Sequence, residues 1–138
     1  MKKLLILGAV SAFLLVLTAG GWAQNQPPTN VNYQAIVGTW QLEVNTGEES
    51  YYLVLELKMT EGRLEGALSE ANGIFTNVAL SNLEFDGETL RFDVKVPTPP
   101  DGVERLIKTD AKLVEDKLQG FIAIPDFSMQ VPLYGVKK

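Results

Sequence analysis

From Gly38 onward, apolar and polar residues alternate with a period of two, and turn-forming residues interrupt the alternation at near-even intervals. Trp40, Leu42 and Val44 share one parity against Gln41, Glu43 and Asn45. Tyr51, Leu53, Leu55, Leu57 and Met59 follow, then Leu64, Gly66 and Leu68. The later segments read Leu90, Phe92, Val94 and Val96; Ile107, Thr109, Ala111 and Leu113; Leu118, Gly120, Ile122 and Ile124; and Phe127, Met129, Val131 and Leu133. Such alternation predicts strands with one buried face. The separators are Asn45-Thr46-Gly47, Glu61-Gly62, Asn72-Gly73, Asp86-Gly87, Asp101-Gly102, Glu115-Asp116 and Pro125-Asp126. Asx-Gly pairs favour the positive-φ turns that join antiparallel strands. Seven turns therefore separate eight segments. Ile74–Phe85 holds no single phase: Val78 and Leu80 lie on one parity, Leu83 and Phe85 on the other, which predicts a bulge near Ser81-Asn82.

Short strands at regular spacing make the chain all-β. A charged face on every strand excludes an outer-membrane barrel, whose outside must be apolar. Sequential strands with short turns form a meander, and closing a meander removes edges that invite aggregation. The expected fold is an eight-stranded antiparallel up-and-down barrel, with a β-sandwich as the alternative. Pro132 in the last strand counts against perfect closure, because it cannot donate to the ladder.

The N-terminal segment follows a different pattern. Met1-Lys2-Lys3 is basic, Leu4 to Thr18 is apolar, and small residues surround Trp22 up to Ala23. This predicts a signal peptide over 1–23, cleaved after Ala23, with Gly21 and Ala23 where the peptidase needs small residues. The apolar run is shorter than the roughly 20 residues that span a bilayer. Residues 24–34 are polar and amide-rich around Pro27-Pro28 and read as a flexible leader, leaving 35–138 for the barrel domain. The expected location is periplasmic or secreted in a bacterium, with no membrane contact after cleavage.

The chain of 138 residues carries 12 basic and 17 acidic side chains. Loss of Lys2 and Lys3 leaves 10 against 17, a balance that argues against nucleic acid and anionic membranes. There is no Cys and no His, so disulfides, thiolate metal sites and the commonest general base are all missing. Almost every Asp and Glu falls on an outward strand position or in a turn, and no paired base and nucleophile stand out. The expectation is a non-catalytic protein with no cofactor and no metal.

Gly38-Thr39-Trp40 opens the first strand after a helix-like turn, Tyr33-Gln34-Ala35-Ile36-Val37. This Gly-x-Trp resembles the entry to a lipocalin and, more broadly, the calycin barrels, including small exported bacterial domains with a lipocalin-like barrel. The resemblance covers strand count and order from Tyr33 to Lys138, and three residues in motif. It implies that the Gly lets the chain bend into the barrel and that the Trp packs across its closed end. The Arg that covers this Trp in the family has no counterpart beyond Lys137 or Lys138, and Thr109-Asp110-Ala111 matches only two residues of the family's Thr-Asp-Tyr signature. Biotin binding, as in avidin-type relatives, is not carried over, because the inward positions here are almost wholly apolar.

Eight-stranded barrels are just wide enough to be packed solid or to hold one small ligand. The small inward residues Gly66, Thr109, Ala111 and Gly120 either mark barrel corners or leave space beside their larger neighbours. The candidate ligand-binding residues are Trp40, Leu55, Phe92, Ile107, Ile122 and Met129, and the expected ligand is a small hydrophobic molecule such as an acyl chain. The alternative is a protein-interaction or inhibitor module with a solid core, meeting a protein partner through the leader and the Pro97–Gly102 loop. That loop is expected to be the longest connection.

Overall fold

The computed structural model describes residues 30–138; the signal-peptide expectation for 1–23 and most of the leader lie outside them. The strands are β1 (Gly38–Asn45), β2 (Ser50–Thr60), β3 (Arg63–Glu70), β4 (Val78–Ala79), β5 (Ser81–Phe85), β6 (Thr89–Thr98), β7 (Val103–Val114), β8 (Lys117–Ile124) and β9 (Met129–Lys137). They form one antiparallel sheet in the order β4-β3-β2-β1-β9-β8-β7-β6-β5. Apart from the closing β1–β9 pair, every neighbour in the sheet is a neighbour in sequence, as a meander requires. The result is the expected all-β, nearly closed barrel.

Nine strands appear rather than eight because the fourth segment is divided. β4 pairs with β3 through Ala67–Ala79 and Leu68–Val78, and the Leu80 N–H donates to the Gly66 carbonyl on the same side. One residue later the chain changes partner: Ser81 pairs with Asp93 of β6. The register slips between Ser81 and Glu84, and Asn82 adopts φ +50°. The Asn82 amide donates to the Asp93 carboxylate at 2.8 Å and fixes the bulge. One stretch of chain thus serves both sheet edges, and the bulge supplies the change of parity foreseen there.

Inward parity follows the sequence closely. Leu55, Leu57, Leu68, Leu90, Phe92, Val94, Val96, Ala111, Leu118 and Ile122 are buried, with Trp40, Leu42 and Val44 of β1. The opposite face is charged, and register places ion pairs across it, Arg91 to Asp110 at 3.0 Å and Lys108 to Asp93 at 3.6 Å. Such exposed pairs add little stability each. The last strand departs from expectation: Pro125–Phe127 is a 3-10 turn, so Phe127 belongs to a connection and β9 starts at Met129. Pro132 does not prevent closure, because the β1–β9 ladder runs from Trp40–Lys137 to Val44–Leu133 and stops one residue short of it.

The closed end is built around Trp40. A 3-10 helix, Tyr33–Ala35, is capped by the Asn32 side chain and places Ile36 beneath the barrel. The Trp40 indole N–H donates to the Ile36 carbonyl at 2.8 Å, so this fully buried ring leaves no polar atom unpaired. Lys137 lies over the other side, its Nζ 5.7 Å from the ring centre and donating to the Gln34 carbonyl. Gly38 has φ +133°, a bend that side-chain-bearing residues rarely adopt, and a Cβ there would come 2.9 Å from Lys137 Cε, near the movable end of that side chain.

Two of the small inward residues make no space. At Gly66 a Cβ would meet Leu57 and Leu80, and at Gly120 it would run into the Asp110 carbonyl and the Ala111 backbone. Gly120 is thus a point of close strand approach. Gly120→Ala is expected to destabilise the fold by about 1–3 kcal/mol by overpacking. Leu55→Ala, at a fully buried position, is expected to cost about 2–5 kcal/mol. Urea unfolding monitored by circular dichroism checks both, and a neutral result at either would contradict this packing.

Candidate ligand-binding cavity

The lower barrel is filled, but the upper part is not. A cavity of about 930 Å³ opens at the end opposite Trp40, at the upper end of the roughly 300–1,000 Å³ typical of small-molecule sites. Its walls are Leu42 and Val44 from β1, Leu53 from β2, Leu68 from β3, Phe92 and Val96 from β6, Ile107 and Thr109 from β7, Ile122 and Ile124 from β8, and Val131 and Leu133 from β9. Each is the inward member of an alternating pair, so the same periodicity that builds the core builds the pocket wall.

Four of the six residues expected from sequence line this cavity: Phe92, Ile107, Ile122 and Met129. Met129 is at the rim and 40% exposed, where β9 leaves the 3-10 turn. Trp40 and Leu55 do not line it. Both are fully buried in the packed lower layer. Thr109, foreseen as a small inward residue, does face the space, whereas Gly66 and Gly120 do not line it.

The mouth is formed by four connections. One is the β1–β2 turn with Thr46, Glu48 and Glu49, and another is the β8–β9 turn with Phe127. A third is the β6–β7 hairpin. Pro97 and Thr98 are not part of that loop: they pair with Glu104 and Val103, so only Pro99–Gly102 connects the strands. The longest connection is instead the β3–β4 loop at 71–77, which brings Ile74 and Phe75 to the mouth.

Glu70 holds that loop in place. It is 7% exposed, and its carboxylate accepts from the Asn72 N–H at 2.6 Å and the Ile74 N–H at 3.2 Å. Its parity matches Leu64 and Leu68, a sign in the sequence that its side chain turns inward. Across the rim, Arg105 joins two lips of the mouth. It makes a two-pronged contact with Asp101 at 2.7 and 2.8 Å, donates to Thr98 Oγ1 at 2.8 Å, and stacks over Phe127 at 4.4 Å. Thr98 in turn donates to the Val103 carbonyl, which closes the hairpin. On the β1–β2 side, Tyr51 Oη donates to Glu49 at 2.6 Å, and this bond to the carboxylate pushes the phenol pKa up.

The Arg105 guanidinium, helped by the Val103 N–H, holds the Asp101 carboxyl well below the usual carboxylate range. A carboxyl that titrates lower when folded contributes stability above its unfolded pKa of about 4 and loses it as pH falls through the folded value. Asp101→Asn is expected to flatten the fall in stability below about pH 4, modestly, since the carboxylate is solvent-screened. Urea midpoints at descending pH check this, and a slope like the parent's would remove Asp101 from the account of the rim. Comparison with known proteins adds no constraint: no family model, curated protein or solved structure matches this chain.

Proposed function

We propose that the protein is an exported, non-catalytic barrel that binds one small hydrophobic molecule in the cavity above the Trp40 layer. The observation that carries this reading is a cavity of about 930 Å³, open at the mouth and walled mainly by aliphatic and aromatic side chains, in an otherwise packed barrel. An apolar wall offers a polar solute few partners and excludes it by its desolvation cost. For an apolar solute the same wall recovers about 25 cal/mol for each Å² removed from water. The rim supports entry, since Ile74, Phe127 and Met129 are exposed apolar residues around the opening. The lipocalin-like sequence features point the same way, as does the closure of the opposite end by Trp40, Ile36 and Lys137.

Binding of the uncharged dye N-phenylnaphthylamine tests the reading. One dye per chain is expected, with displacement by long-chain apolar molecules. Ile107→Trp, which puts a large ring into the space, is expected to weaken dye binding at least about tenfold with the circular dichroism spectrum retained. An outer-wall aromatic patch carries Tyr52, Phe121 and Tyr134. Absence of dye binding, or binding that survives Ile107→Trp but is lost in Phe121→Ser, would overturn the proposal.

A further inference from the structure

We infer that the cavity selects uncharged chains bearing one hydrogen-bonding oxygen, which pairs with Thr109, and rejects chains ending in a carboxylate. This rests on the cavity being a binding site. Thr109 is 5% exposed and sits on β7 between Phe92 and Ile122, its partners on the adjacent strands, both of which line the cavity. Its hydroxyl has no hydrogen-bond partner among the described residues. Yet no side-chain nitrogen or oxygen sealed from solvent is left unpaired there, so this hydroxyl is reached through the cavity space. It is a polar point on an otherwise greasy wall; water can reach it in the free protein, and a ligand that displaces that water must supply the hydrogen bond or leave the hydroxyl buried and unpaired.

The mouth decides the charge. Glu48, Glu49 and Glu70 line it, and the lining includes no Lys or Arg. Arg105, close behind the rim, is already engaged by Asp101 and by Thr98. A carboxylate on a bound chain therefore has two places to go. Deep in the barrel it would be stripped of water beside a single hydroxyl, and at the mouth it would meet three like charges. A hydroxyl or carbonyl suffers neither penalty and completes the Thr109 hydrogen bond.

Tetradecanol and tetradecanoate, matched in length, separate the possibilities through displacement of N-phenylnaphthylamine at a pH where the acid is ionised. Native mass spectrometry gives the stoichiometry. The alcohol is expected to bind at least about tenfold more tightly than the carboxylate. Thr109→Val keeps the side-chain shape and is expected to weaken the alcohol about fivefold, the size of one hydrogen bond, while Thr109→Ser retains its affinity. Glu48→Gln with Glu49→Gln is expected to narrow the gap between the two chains. Equal or tighter binding of tetradecanoate overturns the inference while leaving the cavity a hydrophobic site. Indifference of the alcohol to Thr109→Val also overturns it. Failure of both chains and of the dye to bind removes the inference together with the binding function itself.

Discussion

Between Leu80 and Ser81 a single stretch of chain leaves the edge of β3 and joins the edge of β6, and at Asn82 the backbone enters the left-handed region, so that Leu83 and Phe85 face inward where Val78 and Leu80 did before. The sheet still ends at β4 and β5, but without that passage the edges of β3 and β6 would lie bare and the inward side chains would face an open trough. With it, all the inward residues converge on one axis, and everything described at either end of the barrel depends on that convergence. The side-chain amide of Asn82 on Asp93 is a small interaction. Its importance lies in where it acts, at the one place where neighbouring parts of the chain must face opposite ways.

Once the wall is closed, side-chain size and backbone spacing decide where the interior is solid. At the lower end a tryptophan, an isoleucine delivered by the 3-10 helix and several leucines meet across the axis. Gly66 and Gly120 let neighbours approach there, so these small residues tighten the packing instead of loosening it. Toward the upper end, β-branched residues and Thr109 stop short of the axis, and the turns carry the rim outward. The contrast between the two ends gives the molecule a floor and a mouth, and the floor is anchored by hydrogen bonding as well as by burial.

Much of this was legible in the sequence, because strand alternation and turn chemistry are local. The packing of Trp40 over one end was expected only from the resemblance of Gly38-Thr39-Trp40, whereas the segments, their inward faces and the bulge near Ser81-Asn82 could be read from residue order. Height along the barrel could not. Period two separates inside from outside, but Leu55 and Phe92 look alike in that pattern, and only the stagger between strands puts one in the packed layer and the other on the cavity wall. For the same reason Trp40, the most conspicuous inward residue, does not touch the site. Pro97 and Thr98 read as loop from composition yet pair in register with β7, since a proline at a strand end costs little where its missing donor is not needed. Glu70 continues the phase of Leu64 and Leu68, and Thr98 that of Val94 and Val96. What each would do there depended on Asn72, Ile74 and Arg105, which only the fold brings alongside.

The central claim is that a nearly closed barrel is packed at its Trp40 end and hollow at the other. A crystal structure determined under xenon pressure examines this directly, since xenon enters apolar space and ignores packed core. The account predicts xenon against Phe92, Ile107 and Ile122 and none near Trp40 or Leu55. An upper barrel filled by its own side chains, with no xenon inside, would contradict it.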